Sequence, residues 1–449
     1  MIVDHVAIVG SGFSGTLLAI NLLRHGMRRV TLIERDASRL ARGLAYGKMH
    51  ADHVLNVRAG NMSAFPDEPQ HFVQWLARRG LGSESSFATR GSYGSYLAEL
   101  LADAQHMTGD RLRILTDEAI ELALEGDRAR AKLKSGGAIE ADVAVLAPGN
   151  LPPHTLPAFA GLGRPLYADD PWADDITAGL NDRDDILLLG NGLTAVDCAL
   201  SLTSSGYGGR IMMLSRRGLS PHSHAAQPPG PPLAIQPENV TSSLVRSVRM
   251  RAGAVGWRNA IDELRPFTQF LWRAADEQTR SRFLRHLRPF WDIHRHRLAP
   301  QITERLEAMR ASGRLTARAG KIIGAVPERD GLRIAWRSRG EDQPEGQLFK
   351  RVINCTGPLG DLTRTSDPLL ANLYGSGLVR PDALAIGIDV DQQGRALSRG
   401  GHAQKRLFVV GPMTRGAHWE VVAVPDIRRQ VWDRARYLTN SHWVGMEEL

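Results

Sequence analysis

Short apolar runs that end in glycine occur twice along this chain. Val6–Val9 is four apolar residues in a row, and Gly10-Ser11-Gly12 follows at once. A run of that length bounded by a turn signal predicts a buried strand. Apolar residues at helical spacing then predict a helix over Thr16–His25, stopped by Gly26. A second strand over Val30–Ile33 ends at Glu34. The same order returns later, with a strand at Ile186–Leu189, a turn at Gly190–Ala195, a helix to about Ser205 and a strand at Ile211–Leu214. Alternating segments separated by glycine turns follow each unit. Residues 111–150 read as a three-stranded meander closing in Ala147-Pro148-Gly149, and residues 314–358 have the same shape and close in Asn354-Cys355-Thr356-Gly357. The chain therefore holds a long internal duplication. A last strand at 406–411 precedes a helix predicted from about Pro425 to Tyr437.

The two turns carry chemistry. Gly10-Ser11-Gly12-Phe13-Ser14-Gly15 fits G-x-G-x-x-G, follows a strand and opens a helix. In that pattern the first glycine makes the turn, the second lets backbone approach a pyrophosphate, and the third packs helix on strand. Glu34 lies 24 residues after Gly10, where a carboxylate accepts hydrogen bonds from ribose hydroxyls and repels a 2′-phosphate. Gly190-Asn191-Gly192-Leu193-Thr194-Ala195 is the second match, with alanine third. The strand after it ends in Ser215-Arg216-Arg217, a hydroxyl and two guanidiniums that suit a 2′-phosphate. The first site is thus expected to hold FAD, with Phe13, Ser14 and Arg35 beside the glycines. The second is expected to hold NADPH, with NADH the alternative, delivering hydride to the flavin.

The expected fold is α/β: two Rossmann-type dinucleotide-binding domains with β-meanders and a helical insertion. Residues 1–170 are expected to form the N-terminal part of the FAD domain and 346–449 its C-terminal part. Residues 171–345 are expected to form the NAD(P)H domain, with the insertion at about 219–310. That insertion opens in the Pro/Gly-rich "SPHSHAAQPPGPP" and continues as Arg-rich helical sequence. It and the excursion at 43–104 are long enough to build a substrate pocket.

Composition narrows the acceptor. The net charge is +8 and only six basic residues are Lys. No contiguous basic tract interleaved with aromatics occurs, so nucleic acid is not expected as a partner. No apolar run approaches the ~20 residues that span a bilayer, and no cleavage-site pattern follows Val6–Val9, so the expected location is the cytoplasm, without a membrane partner. Cys198 and Cys355 lie far apart in sequence, outside any Cys-x-x-Cys pair. That excludes a disulfide scaffold and a thiolate metal cluster, and with no redox pair of cysteines expected the disulfide-reductase class is excluded as well. Oxygen remains the best acceptor, with a protein or quinone acceptor as the alternative.

The stretches "GLAYGKMHADHVLNVRAGNMSAFPDEPQHFVQWL", "GNGLTAVD", "LSRRGLSPHSH", "FLRHLRPFWDIHRHRLAP", "VINCTGP" and "GPMTRGAHWEVVAVPDIRRQ" resemble bacterial FAD/NAD(P)-binding proteins grouped with a flavin-dependent urate hydroxylase and an aspartate N-monooxygenase. The resemblance covers nearly the whole chain. It implies an FAD-dependent, NAD(P)H-consuming monooxygenase that hydroxylates a small polar substrate with O2 through a flavin C4a-hydroperoxide. Urate giving 5-hydroxyisourate is the first expectation, and N-hydroxylation of an amine or amino acid is the second. The F-x-G-x-x-x-H signature of other flavin monooxygenases is broken, since Phe159 and Gly161 fit but Pro165 replaces the histidine.

The resemblance also places pocket residues. Residues 43–47 and 55–57 fall where related flavoproteins cover the isoalloxazine ring. Asn56 is expected near flavin N5 or the nicotinamide amide, or else as a satisfied loop residue, and Tyr46 as a pocket wall. Gly149, Gly357, Gly411 and Pro425 are expected at FAD, the last through backbone N–H groups at a helix start. Arg415, His418, Trp419 and Glu420 lie on the preceding loop, with His418 a catalytic candidate and Arg415 and Trp419 substrate candidates. Arg295 and Arg297 are expected either to clasp an anionic planar substrate or to sit in an Arg/Asp-paired helix, as Arg288 and Asp292 suggest. No metal is expected: His222, His224, His294 and His296 have no supporting carboxylate or Cys spacing. The oligomeric state has no signal.

Overall fold

The computed structural model describes residues 2–47, 50, 52–172, 175–225, 233, 236–237 and 242–441. The Pro/Gly-rich stretch at 226–232 lies outside the described residues. The chain opens with β1 (His5–Val9), α1 (Phe13–Arg24) and β2 (Arg29–Glu34), then α2 (His71–Arg78) and α3 (Arg90–Thr108). β3 (Leu112–Thr116), β4 (Ala119–Glu125), β5 (Arg128–Leu133), β6 (Ala138–Ala141) and β7 (Val143–Leu146) follow, with the two-residue β8 (Tyr167–Ala168). The opening order then repeats as β9 (Asp185–Leu189), α4 (Leu193–Ser204) and β10 (Arg210–Ser215). The insertion contains α5 (Ser242–Leu264, broken at Gly256), α6 (Thr268–Ala274), α7 (Glu277–Arg282), α8 (Arg288–Arg295) and α9 (Pro300–Ala311). β11 (Leu315–Glu328), β12 (Gly331–Ser338), β13 (Pro344–Phe349) and β14 (Arg351–Asn354) close the second repeat. Last come α10 (Pro368–Ser376), β15 (Arg395–Leu397), β16 (Ala403–Val409) and α11 (Val424–Leu438).

These elements form two compact units, one of residues 1–51, 57–151 and 360–449, the other of 52–56 and 152–359. In the first, the sheet order is β15-β16-β7-β1-β2-β3, parallel except at β15. Its strands are apolar on both faces because helices must cover them. Val6 and Ile8 are fully buried, as are Leu17 and Leu18 of α1. β4, β5 and β6 make the expected meander as a separate antiparallel sheet, framed by β3 and β7 in the parallel one.

The second unit carries the order β13-β12-β11-β10-β9-β14-β8. β11 serves two neighbours: residues 315–319 pair parallel with β10, and 320–328 pair antiparallel with β12. The boundaries expected at 170/171 and 345/346 differ from these units. Tyr167 and Ala168 pair with Val352 and Ile353, and β14 pairs with β9, so both segments belong to the second sheet. Among the described residues no helix is long and apolar enough to cross a membrane.

The cysteines need a correction. Their wide spacing in sequence suggests no pairing, yet Cys198 on α4 and Cys355 after β14 lie with their sulfurs 3.6 Å apart, both buried. Sequence separation carries no information about distance once a helix packs on the face of a sheet.

Candidate functional site

The first glycine turn is built by contact with the strand beside it. Gly10 sits at φ +98°, and a methyl there would overlap the carbonyl of Ala147, which directly follows β7. Gly12 approaches Gly43, whose own φ is +56°, so the 39–47 loop crosses the turn where neither residue has a side chain. α1 then starts at Phe13 with no side-chain cap, leaving its first N–H groups available to an anion. Gly149 closes β7's loop at φ +70°, with nothing near its missing side chain. Gly411 lies against Ser14, where a methyl would stand 2.5 Å from the hydroxyl oxygen. The structure thus gathers Gly10, Gly12, Phe13, Ser14, Gly15 and Gly411 in one place.

Glu34 does more here than the sequence suggests. It is 8% exposed, and its Oε2 accepts hydrogen bonds from Ser11 N–H at 2.9 Å and the Ser11 hydroxyl at 2.8 Å. Oε1 accepts from Asp36 N–H at 3.1 Å. A carboxylate has about four acceptor sites, so the one that fixes the turn keeps capacity for a ribose hydroxyl. Arg35 has protein partners of its own. Its guanidinium pairs with Asp367 at 2.9 Å and Glu118 at 3.4 Å, tying β2's end to the meander and to α10.

Tyr46 packs edge-on against Tyr93 at 4.8 Å and against Phe13 at 6.2 Å, as a wall residue would. Burial pushes its phenol up to about 12, so near neutral pH it is a hydrogen-bond donor and not a proton acceptor. Pro425 stands in the first turn of α11, another helix with no side-chain cap. Arg415 donates to the Ile386 carbonyl at 2.6 Å and is 8% exposed, and Trp419 is equally buried. His418 is half-buried and its N–H donates to the Thr414 carbonyl.

The second turn repeats the first. Gly190 has φ +128°, and a methyl there would lie 2.5 Å from the carbonyl oxygen of Cys355, the residue equivalent to Ala147. Nothing lies near the missing side chain of Gly192, and α4 likewise starts without a side-chain cap. Asn191 is 3% exposed, and neither Nδ2 nor Oδ1 has a hydrogen-bond partner. A buried carboxamide left so costs free energy unless a ligand or water completes it. Leu193 and Thr194 begin α4 half-buried, and Ala195 is fully buried in the position of Gly15. Gly357 was expected at FAD, but it belongs to this second unit, because β14 pairs beside β9.

The two arginines after β10 separate. Arg217 lies over Phe290 at 5.1 Å and donates to the Arg285 carbonyl at 3.2 Å. Arg216 is exposed, and its guanidinium has no hydrogen-bond partner among the described residues. The Ser215 hydroxyl accepts from Gly218 N–H, shaping the turn. Arg216→Ala is therefore expected to raise the KM for NADPH roughly ten- to a hundredfold, the loss of one charge-assisted contact of ~1.5–3 kcal/mol. Its KM for NADH should barely change, and Arg217→Ala should have the smaller effect on NADPH. Steady-state kinetics with both nucleotides checks this, and equal effects on NADPH and NADH would reject a 2′-phosphate site.

Asn56 also belongs to the second unit. Asp52 pairs with Arg305 at 3.2 Å and accepts from the Ser204 hydroxyl, while His53 Nε2 meets the Asp197 carbonyl and Ser201. The Asn56 carbonyl accepts from His224 Nε2 at 2.9 Å, so that nitrogen carries the proton. In the insertion, Arg288 pairs with Asp292 at 3.3 Å as expected. Arg297 is 5% exposed and donates to Asp262 and to the carbonyls of His294 and Arg258, so it braces helices, in line with the paired-helix expectation. Arg295 ends α8, half-buried. His222 stacks on His294 at 4.7 Å, and Trp257 stacks on His294 at 5.3 Å. Burial, helped by the nearby His222, Arg297 and Arg258, holds His294 down to about 4. Among the described residues no three metal-ligating side chains converge.

Sequence reasoning missed Gln430. Its Oε1 accepts from Gly411 N–H at 2.7 Å, and its Nε2 donates to Thr414 at 2.8 Å, clamping the turn beside Ser14. The available signal was a lone amide between the buried Ile427 and Val431 of α11. It missed Ser11 and His224 as well, whose roles depend on partners distant in sequence.

Residues 7–151 match a family model described as FAD-NAD(P)-binding. No curated protein matches the chain by sequence. Among solved structures, L-lysine 6-monooxygenase from Pseudomonas syringae is 16% identical with a TM-score of 0.68, covering 98% of this chain and 99% of its own. An ornithine N-hydroxylase from Kutzneria sp. 744, in a structure with reduced FAD, NADP+ and L-ornithine, is 14% identical with a TM-score of 0.66 and the same coverage. A cadaverine monooxygenase from Erwinia amylovora, bound to FAD, is 13% identical with a TM-score of 0.67, covering 98% of this chain and 95% of its own. At these identities the likeness is one of fold: two dinucleotide-binding units of α/β architecture, the first similar to an FAD-NAD(P)-binding family.

Proposed function

We propose that this protein is an FAD-dependent, NADPH-consuming monooxygenase that N-hydroxylates a small amine or amino acid. The observation that carries the reading is the pair of glycine turns, built alike but followed by opposite charges. Glu34 ends the strand after the first and Arg216 follows the strand after the second. An acid suits the ribose of FAD, and an exposed guanidinium suits the 2′-phosphate of NADPH. Bound FAD, reduced by NADPH, supplies the oxygen-activating chemistry.

The residues of this chain bind, orient and shield. The uncapped start of α1 and the Ser11–Glu34 clasp hold the first nucleotide. Asn191 and the open face at Gly192 hold the second. Tyr46 walls the first site as a neutral phenol. The amine substrate takes precedence over urate because full-length neighbours named for ornithine, lysine and cadaverine have TM-scores of 0.66–0.68, against 0.53–0.57 for full-length disulfide reductases of the same fold, which supports N-hydroxylation.

The test is NADPH oxidation by the FAD-loaded protein with ornithine, lysine, cadaverine, aspartate and urate in turn, following hydroxylamine product and hydrogen peroxide. One amine is expected to yield hydroxylamine and to lower peroxide per NADPH. Consumption of urate without amine hydroxylation would move the reaction to carbon. NADPH oxidation that depends on an added electron carrier, with no hydroxylated product, would make the protein a reductase and end the oxygenase reading.

A further inference from the structure

The structure assigns Cys198 and Cys355 as a reversible dithiol–disulfide site set behind the second glycine turn. They are the chain's two cysteines, on different elements and 157 residues apart, yet their sulfurs stand 3.6 Å from each other in the interior. Bonding requires an approach to about 2.05 Å, a shift of side chains and of a short backbone segment. Cys198 is fully enclosed, whereas Cys355 is 4% exposed at the end of β14. Contact with the Cys355 thiol and burial push the Cys198 thiol up, so the first reaction with an oxidant falls to Cys355.

The oxidant is hydrogen peroxide. It converts the Cys355 thiol to a sulfenic acid and releases one water. The Cys198 thiol then attacks that sulfur, the S–S bond forms, and the second water leaves. Two thiols and one peroxide give one disulfide and two waters, with two electrons passing from the sulfurs to the peroxide. A small dithiol reverses the step. A protein disulfide cannot reach sulfurs this enclosed, so the pair is a modification site and not an exchange centre.

Its effect passes through backbone. Cys355 N–H donates to the Leu189 carbonyl at 3.1 Å, and the Cys355 carbonyl lies against Gly190 with no room for a methyl. Drawing Cys355 toward α4 displaces the wall of the nucleotide turn. The consequence, resting on that turn as the NADPH site, is weaker NADPH binding while FAD content stays constant.

The experiment treats the FAD-loaded protein with hydrogen peroxide, alkylates it after unfolding, and reads its mass alongside the KM for NADPH. The expected result is loss of two hydrogens and both alkylation sites, with a KM rise of roughly five- to tenfold. Dithiothreitol should restore both readouts. Cys198→Ser, Cys198→Ala and Cys355→Ser should each abolish the KM rise. Two thiols that remain alkylatable at a peroxide dose that consumes free glutathione would overturn the site. A KM rise that persists in Cys198→Ala, or a disulfide with unchanged KM, would overturn the coupling. Should the reduced protein fail to bind NADPH, the nucleotide assignment fails, and the mass readout still decides the disulfide.

Discussion

Gly10→Ala is expected to purify without flavin. The added methyl would overlap the Ala147 carbonyl, a backbone atom held by the pairing of β1 with β7 through Val9 and Leu146. Ala147 N–H itself donates to the Val9 carbonyl, so the two backbones cannot part without breaking the center of the sheet. The φ of +98° adds strain of ~1–3 kcal/mol in a residue with a side chain. Relief must come from the turn, which is where a pyrophosphate would sit. We expect FAD affinity to fall roughly a hundredfold or more, equivalent to at least ~2.8 kcal/mol. Gly26→Ala is the control, since Gly26 has φ +88° and nothing near its missing side chain. It carries the strain without the collision and should stay yellow. The measurement is flavin absorbance per protein after gel filtration, with circular dichroism to confirm folding. A yellow Gly10→Ala protein at normal stoichiometry would remove the first turn from the flavin site.

The duplicated core is legible because two signals agree there. The apolar strands have the length of buried parallel strands, and each glycine turn opens a helix. α1 nevertheless starts at Phe13, earlier than the apolar spacing suggests, because Phe13, Ser14 and Gly15 of the motif are already helical, with Gly12 as the extended residue that caps them. The site is legible only where one short stretch contains all its partners. Glu34 is read correctly as a carboxylate at the first turn, yet its clasp on Ser11 depends on β2 lying beside β1. The ion-pair partners of Arg35 and Arg297 are not legible for the same reason. Asp367 and Asp262, which claim them, come from elements that nothing in the local sequence connects. The attachment of the Asn56 segment shows the same limit. Asn56 sits in the first excursion, but Asp52, His53 and His224 fasten that segment to the second unit. Charge and hydrogen-bond pairing across long separations is a property of the packed chain, and periodicity does not encode it.

Gly190→Ala is expected to give the opposite phenotype, a protein that keeps FAD and loses NADPH. Its methyl would lie 2.5 Å from the Cys355 carbonyl oxygen and 3.1 Å from the carbonyl carbon. Neither atom has freedom to retreat. Asn354 is in register with Leu189, Cys355 N–H bonds the Leu189 carbonyl, and Gly190 N–H bonds the Leu214 carbonyl. The three strands β14, β9 and β10 therefore clamp the turn on both sides, and the collision is relieved by pushing the Asn191–Gly192 backbone into the space meant for phosphates. A displacement of about 1 Å at such a turn costs on the order of a hundredfold. The KM for NADPH should rise by roughly that factor, while flavin content and the flavin's response to a chemical reductant remain as in the parent protein. Comparing the two glycine variants is more informative than either alone, because both introduce one methyl at a positive φ against a backbone carbonyl. If the turns bind different nucleotides, the two defects separate cleanly between flavin content and NADPH kinetics. If Gly190→Ala also bleaches the protein while Gly10→Ala leaves NADPH binding intact and the flavin in place, the assignments are reversed. Loss of both functions in both variants, with folding preserved, would mean that the turns act together on one ligand, and the two-nucleotide reading would fall.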